Sequence, residues 1–119
     1  MRRAVACLCF LVLAQAVFAQ SRGTVIHIIN VKWKQDATPE QIKAAVDAAR
    51  ELPSKFPGIR RVWTKNLKYQ AQEGYNQAIV MEFESEDALK KYDNSAAQQW
   101  WYKIYLPVRD ESHTHDVSN

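Results

Sequence analysis

The sequence predicts an α+β domain with the element order β-α-β-β-α-(α)-β, in which helices cover one face of an antiparallel sheet. Two observations carry this prediction. Stretches of alternating apolar and polar residues, typical of strands, are interleaved with stretches that have the three-and-four apolar spacing of helices. The sequence has no internal repeat, low-complexity run or interdomain linker, so a single domain over residues 23–117 is expected.

A cleavable signal peptide is predicted ahead of this domain. Two arginines precede an uncharged apolar run, residues 4–13, and Val17 and Ala19 suit the −3 and −1 positions for cleavage before Gln20. A membrane-spanning helix needs about 20 apolar residues. Residues 1–19 therefore predict export, to the periplasm or beyond, without membrane attachment after cleavage. An uncleaved N-terminal anchor is the alternative.

Removing this leader changes the composition. The full chain has 16 basic and 13 acidic residues and a net charge of +3, but without Arg2 and Arg3 the balance is 14 against 13. No basic stripe remains to neutralise phosphates, which argues against nucleic acid as a partner. Cys7 and Cys9 also leave, so the mature domain is expected to lack disulfides, thiol nucleophiles and cysteine metal sites.

The first strand and the first helix have strong local signals. Residues 23–34 are rich in β-branched and aromatic residues, and their alternation separates Val25, His27, Ile29, Val31 and Trp33 from Ile26, Ile28, Asn30 and Lys32. A helix is predicted to begin after Thr38, because Thr38 can cap the first N–H groups, Pro39 suits the first helical position and Gln41 completes a capping box.

The middle of the chain contains the rest of this helix and two further strands. The apolar face of the helix is formed by Ile42, Ala45, Val46, Ala49 and Leu52. Pro53, followed by Pro57 and Gly58, is predicted to end it. Residues 59–66 predict the second strand. Residues 75–84 predict the third, with one face formed by Tyr75, Gln77, Ile79, Met81 and Phe83.

Two capped helices and a weak strand are predicted to complete the chain. Ser85 caps a short helix that carries Ala88, Leu89 and Tyr92. Ser95 and Gln98 give a second capping signal, and the helix that follows carries Trp100, Trp101, Ile104 and Tyr105. Residues 109–117 are polar on both faces, so by themselves they would be assigned to coil.

This arrangement leaves one face of the sheet uncovered. Ile26, Ile28 and Asn30 would project from that face, and water would meet a partly apolar surface. A homodimer that packs sheet on sheet is therefore expected.

Several motifs together resemble one known family. They are the first strand, the Glu73-Gly74-Tyr75 segment, the Phe83-Glu84-Ser85 segment that leads to Tyr92, and a terminal Asp116. In order and spacing they resemble the stress-responsive dimeric α/β-barrel family, called Dabb, over nearly the whole mature chain. The resemblance implies a ferredoxin-like subunit that pairs into a dimeric barrel, a small apolar pocket between sheet and helices, a stress-response-like role and no cofactor.

The resemblance also suggests which residues would act in catalysis. In the plant polyketide cyclases of this family, which close a linear polyketide by aldol condensation, a first-strand His lines the pocket. A Tyr at the end of the helix after the third strand acts with a His six residues beyond it. The corresponding positions are His27, Tyr92 and Gln98. A carboxamide cannot accept a proton as imidazole does, so the known cyclase route is not expected, although His27 can still serve as a base.

Two functions remain open from the sequence. The first is binding of a small hydrophobic or aromatic ligand in a pocket behind His27, lined by Ile29, Val31, Trp33, Gln98, Trp101 and Ile104. The alternative is a cofactor-free lyase, cyclase or monooxygenase-like enzyme in which His27 and Tyr92 transfer protons. A related monooxygenase chemistry uses Asn, Trp and His, but Asn30 and His27 alternate to opposite faces of one strand. Alternatively, His27 has no binding or catalytic role and is a core residue whose ring nitrogens are hydrogen-bonded within the fold.

His113 and His115 form the only histidine pair close in sequence. On one face of a strand they would lie about 7 Å apart and could share a metal ion if a third ligand approached. With no cysteine and no evident third ligand, no metal site is predicted. The resemblance places both on the sheet face opposite His27.

Overall fold

The computed structural model describes residues 23–67 and 73–119, and the predicted leader, including both cysteines, lies outside them. The elements are β1 Val25–Trp33, α1 Pro39–Lys55, β2 Ile59–Trp63, β3 Tyr75–Phe83, α2 Glu86–Tyr92, α3 Ala96–Tyr105 and β4 Arg109–Ser118, in the predicted order. The four strands form one antiparallel sheet with the order β2-β3-β1-β4. No helix in the described part of the chain is long and apolar enough to cross a membrane.

The N-terminal end of α1 follows the predicted capping box. Thr38 Oγ1 accepts a hydrogen bond from the Gln41 backbone N–H at 3.2 Å, and Gln41 Oε1 accepts one from the Thr38 N–H at 3.0 Å. The predicted C-terminal end is wrong, because Pro53 lies inside the helix, which continues to Lys55. Proline removes one helical N–H donor, but the Phe56 N–H still donates to the Leu52 carbonyl at 2.8 Å and closes the last turn.

A β-bulge reverses the predicted orientation of Tyr75. Gln77 pairs with Val31, but Tyr75 pairs with Lys32, so the register shifts by one residue between them. An extra residue in one strand turns the side chains beyond it to the other face. Tyr75 therefore lies on the face of Lys32, in contact with His113, and not with Gln77 as predicted. The second strand is also shorter than residues 59–66 and ends at Trp63.

The hydrophobic core lies between α1, α3 and one face of the sheet. Its sheet residues alternate along β1 and β3, and those that are 5% exposed or less are Val25, Ile29, Val31, Ile79, Met81 and Phe83. On the helices, Trp101 is 1% exposed, stacks on Tyr105 with ring centroids 4.2 Å apart, and donates its indole N–H to the Ala45 carbonyl at 3.0 Å. This hydrogen bond satisfies the polar atom of a buried tryptophan and joins α3 to α1.

The opposite side of the sheet is called the open face. Along β1 and β4 it is formed by the pairs Ile26–Val117, Ile28–His115, Asn30–His113 and Lys32–Glu111. Two large apolar side chains remain exposed there, Trp63 at 45% and Val117 at 55%. The predicted partly apolar surface is thus present in the subunit.

Leu52 on α1 has a matched control in Leu67, since the two leucines are 0% and 89% exposed. Leu52→Ala should lower the free energy of unfolding by about 2–5 kcal/mol, because it removes buried methyl groups and leaves a cavity. Leu67→Ala should change it by less than about 0.5 kcal/mol. Urea unfolding followed by circular dichroism measures both values, and equal losses would contradict the placement of Leu52 in the core.

Candidate functional site

A paired imidazole and carboxylate lie at the end of the sheet. His27 of β1 is directly opposite Asp116 of β4, and because directly opposed residues share a face, both lie on the helix side. His27 Nδ1 and Asp116 Oδ1 are 2.5 Å apart. With the proton on Nδ1 and donated to Asp116, Nε2 presents a lone pair that can accept a hydrogen bond or a proton. The His27 side chain is 16% exposed and that of Asp116 is 47% exposed, so the pair is reachable from solvent.

A groove of about 240 Å³ lies beside Asp116 of this pair. It is bounded by the start of β1, the end of β4 and helix α2, and its walls include Val25, Leu89, Val117, Glu86, Lys90 and Asp116. Three of these are aliphatic, while Glu86 and Lys90 bring opposite charges. A cavity of roughly 150 Å³ accepts benzene, so the groove has room for a molecule with one substituted ring.

Tyr92 lies behind His27, with Phe83 between them. The Phe83 ring contacts His27 edge-on at 5.9 Å between centroids and Tyr92 at 5.2 Å. Tyr92 is 2% exposed, and its hydroxyl has no hydrogen-bond partner among the described residues. Burial raises the pKa of the Tyr92 phenol, which therefore stays protonated near neutral pH. Both predicted catalytic residues, His27 and Tyr92, contact the ring of Phe83, but no hydrogen bond joins them in the described region.

Gln98 occupies the position at which the resembled cyclases have a histidine, and its amide is used within the fold. Its Oε1 accepts a hydrogen bond from the Asn94 backbone N–H at 2.7 Å, and its Nε2 donates to Tyr102 Oη at 3.2 Å. Asn94 has a φ of +62° in the turn between α2 and α3, a conformation that asparagine tolerates well. The carboxamide therefore stabilises a helix connection and offers no proton acceptor for catalysis.

The predicted ligand-binding residues lie mostly in the core. Ile29, Val31 and Trp101 are at most 5% exposed, and Trp33 packs edge-on against Tyr105 with centroids 6.0 Å apart. Ile104 is partly buried against the same cluster. Their contact with a ligand remains a prediction.

The sequence reasoning missed the role of Asp116 and the contribution of Leu89. Asp116 was one of the residues that carried the family resemblance, but its partner, His27, lies 89 residues away in sequence. Only the register of β4 against β1 brings the two together, and the polar sequence of β4 carries little information about register.

A second group of titratable side chains lies on the open face. Tyr75 Oη and His113 Nε2 are 3.0 Å apart, and Glu111 Oε1 lies 3.5 Å from the same nitrogen. Hydrogen bonding to Glu111 raises the pKa of Tyr75 to about 12, and the same contact lowers the pKa of Glu111. His113 and Asn30 lie on the face opposite His27. Within residues 23–67 and 73–119, no group of three His, Cys, Asp or Glu side chains could hold a metal ion.

The sheet order β2-β3-β1-β4, with three helices over one face, defines the class as ferredoxin-like α+β. Residues 25–119 match the family model described as the Stress responsive A/B Barrel Domain, so the chain belongs to the Dabb family. The resemblance drawn from its motifs is confirmed. No curated protein matches the sequence.

Solved structures share the fold at low sequence identity. A dimeric protein of unknown function with a ferredoxin-like fold from Bacteroides fragilis is 24% identical, with a TM-score of 0.64 over 82% of this chain and 98% of its own. A Dabb family protein from Mesorhizobium loti is 15% identical, with a TM-score of 0.67 over 82% and 98%. The hydroxynitrile lyase of Passiflora edulis is 15% identical, with a TM-score of 0.73 over 82% and 94%.

Proposed function

We propose that this Dabb protein binds a small hydrophobic or aromatic molecule in the groove beside His27 and Asp116. The observation that carries the proposal is the combination of aliphatic walls, Val25 and Leu89, with the Asp116 carboxylate, which lines the same groove and contacts the His27 imidazole. Small-molecule sites typically have this composition, since apolar surface supplies affinity and a few fixed polar groups supply orientation.

The His27–Asp116 pair limits the kind of ligand. Asp116 lines the groove and contacts Nδ1 of His27, so we expect a hydroxyl or another weakly acidic group of the ligand to donate a hydrogen bond to this carboxylate or to Nε2. Lys90 and Glu86 at the groove tolerate polar substituents of either charge. An aromatic ring with one hydroxyl fits the volume of the groove and can donate this hydrogen bond.

Filling the groove tests this binding mode. Phenol and indole serve as probes, and binding is followed by ¹H–¹⁵N NMR at the amides of residues 25–27, 89 and 116–118. Leu89→Trp should abolish the saturable shifts, because the larger side chain occupies the groove. Leu106→Trp is the matched control, since Leu106 also packs partly buried on the core but does not line the groove. Unchanged binding in Leu89→Trp would show that the probes bind at a different site.

A cofactor-free lyase is the second candidate, and it is favoured by the same His27–Asp116 contact. A base that accepts a hydroxyl proton can start the cleavage of a hydroxynitrile. As the O–H proton moves to Nε2, the carbon–carbon bond to the nitrile breaks and leaves an aldehyde and cyanide. The proton then passes from His27 to cyanide, and hydrogen cyanide leaves. Asp116 stabilises the intermediate imidazolium by its charge.

Mandelonitrile is the probe for this reaction, because it joins an aromatic ring to a hydroxynitrile, and benzaldehyde release is read by absorbance. His27→Gln should lower kcat/KM by at least about 100-fold, the usual contribution of a general base. Asp116→Asn should also lower it, while Asp110→Asn on the same strand, whose partner is Lys32, is the matched control and should not. Tyr92→Phe reports whether the buried phenol takes part. Benzaldehyde release by the wild type no faster than in buffer alone eliminates the lyase.

A homodimer formed through the open face is part of the proposal. The similar Bacteroides fragilis protein is dimeric. In this chain Trp63 and Val117 expose apolar surface on the open face, and a second copy would remove that surface from water. A two-fold pair buries the same patch on both subunits.

Export of the mature domain completes the proposal, and it is supported by the arginine pair, the short apolar run and the small residues before Gln20. Expression in the native host should yield protein outside the cytoplasm whose N-terminal residue is Gln20. Ala19→Arg should block cleavage, because the −1 position requires a small side chain. Mass spectrometry reads the N-terminus, and cytoplasmic protein that retains Met1 would contradict export.

A further inference from the structure

One row of residues across the open face is apolar except at its last position. The strand register places Trp63, Val80, Ile28 and His115 side by side, from β2 to β4. Val117 follows on the same face of β4. Among the described residues, no carboxylate lies within ion-pair distance of His115.

His113, two residues earlier on the same face, has a different environment. Its Nε2 lies 3.0 Å from Tyr75 Oη and 3.5 Å from Glu111 Oε1. A protonated His113 therefore has a carboxylate beside it, whereas a protonated His115 faces Ile28 and Val117. His113 therefore serves as the control for His115, since both lie on the same face of β4 and only His113 has a carboxylate beside it.

We propose that His115 makes the homodimer sensitive to acidification. The inference rests on the homodimer proposed above, in which the open face of one subunit covers that of the other. Covering His115 removes water from its imidazole, and a buried charge without a partner is strongly disfavoured. The dimer thus holds His115 in the neutral form, and protonation favours the separated subunits.

The other charged groups on the open face do not offset this effect. Lys32 of β1 is a cation that is paired with Asp110 of β4. Glu82 of β3 is already held by Arg61 of β2, with 2.7 Å between Arg61 Nε and Glu82 Oε2. On β4, Glu111 lies four residues from His115, next to His113. These carboxylates are therefore already paired within the subunit.

The direction and size of the effect follow from proton linkage. On acidification each separated subunit can bind a proton at His115 that the dimer resists, so up to two protons are taken up per dissociation. The dimer dissociation constant then rises by up to about 100-fold per pH unit. Between pH 7.5 and 5.5 we expect an increase of at least about tenfold.

Analytical ultracentrifugation over a concentration series at pH 7.5 and pH 5.5 measures this constant. The wild type should show the increase, His113→Gln should retain it, and His115→Gln should lose most of it, because glutamine stays neutral at both values. Circular dichroism verifies that both variants fold.

Three outcomes would overturn the inference. An equal pH response in His115→Gln assigns the effect to another group. A wild-type dimer of equal affinity at both pH values shows that His115 remains solvated or is not at the interface. A protein that is monomeric at every concentration would also contradict the proposed homodimer. Binding of indole in the groove, followed by NMR on the same sample, would then still support the proposed ligand site.

Discussion

The pairing of the last strand with the first is the constraint on which the rest of the structure depends. β4 has few apolar side chains with which to hold itself in place, yet its register with β1 decides which residues meet. Because side chains alternate with a period of two, a slip by one position would replace Asp116 by His115 beside His27. It would also turn Val117 away from the open face. The proposed ligand site and the proposed interface are thus both set by one ladder of hydrogen bonds.

This dependence explains why elements with strong local signals were predicted well and others were not. The capping box at Thr38 and the alternation of β1 arise from contacts within a few residues, so sequence alone reveals them. The same local rules fail at Pro53, where one lost donor does not end a helix that tertiary packing supports. They also fail at Tyr75, because a bulge is a property of two strands and not of one.

The site was predictable in its components but not in its arrangement. His27 could be placed on the inner face of β1 from alternation, and Gln98 could be seen to lack a basic nitrogen. Neither observation reveals that Asp116 orients the imidazole, because a contact across 89 residues depends on the complete sheet. Similarly, the amide of Gln98 has a specific structural use, the N–H of Asn94, that becomes visible only when the turn between α2 and α3 is formed.

The hydroxyl of Tyr92 presents the remaining physical question about the site. Among the described residues this hydroxyl has no hydrogen-bond partner, and a buried polar group without one costs about 1–3 kcal/mol. Phenylalanine would fill the same space between Phe56 and Phe83 without that cost. Stability alone therefore does not account for the hydroxyl. Since burial raises the pKa of this phenol and keeps it protonated, it is suited to donate a hydrogen bond rather than to act as a base. Reaching a ligand from its present position requires movement of Phe83, which separates it from His27. Ligand binding beside His27 needs no such rearrangement, and neither does the proton transfer proposed for His27 in the lyase, so Phe83 has to move only for a reaction in which the Tyr92 phenol takes part.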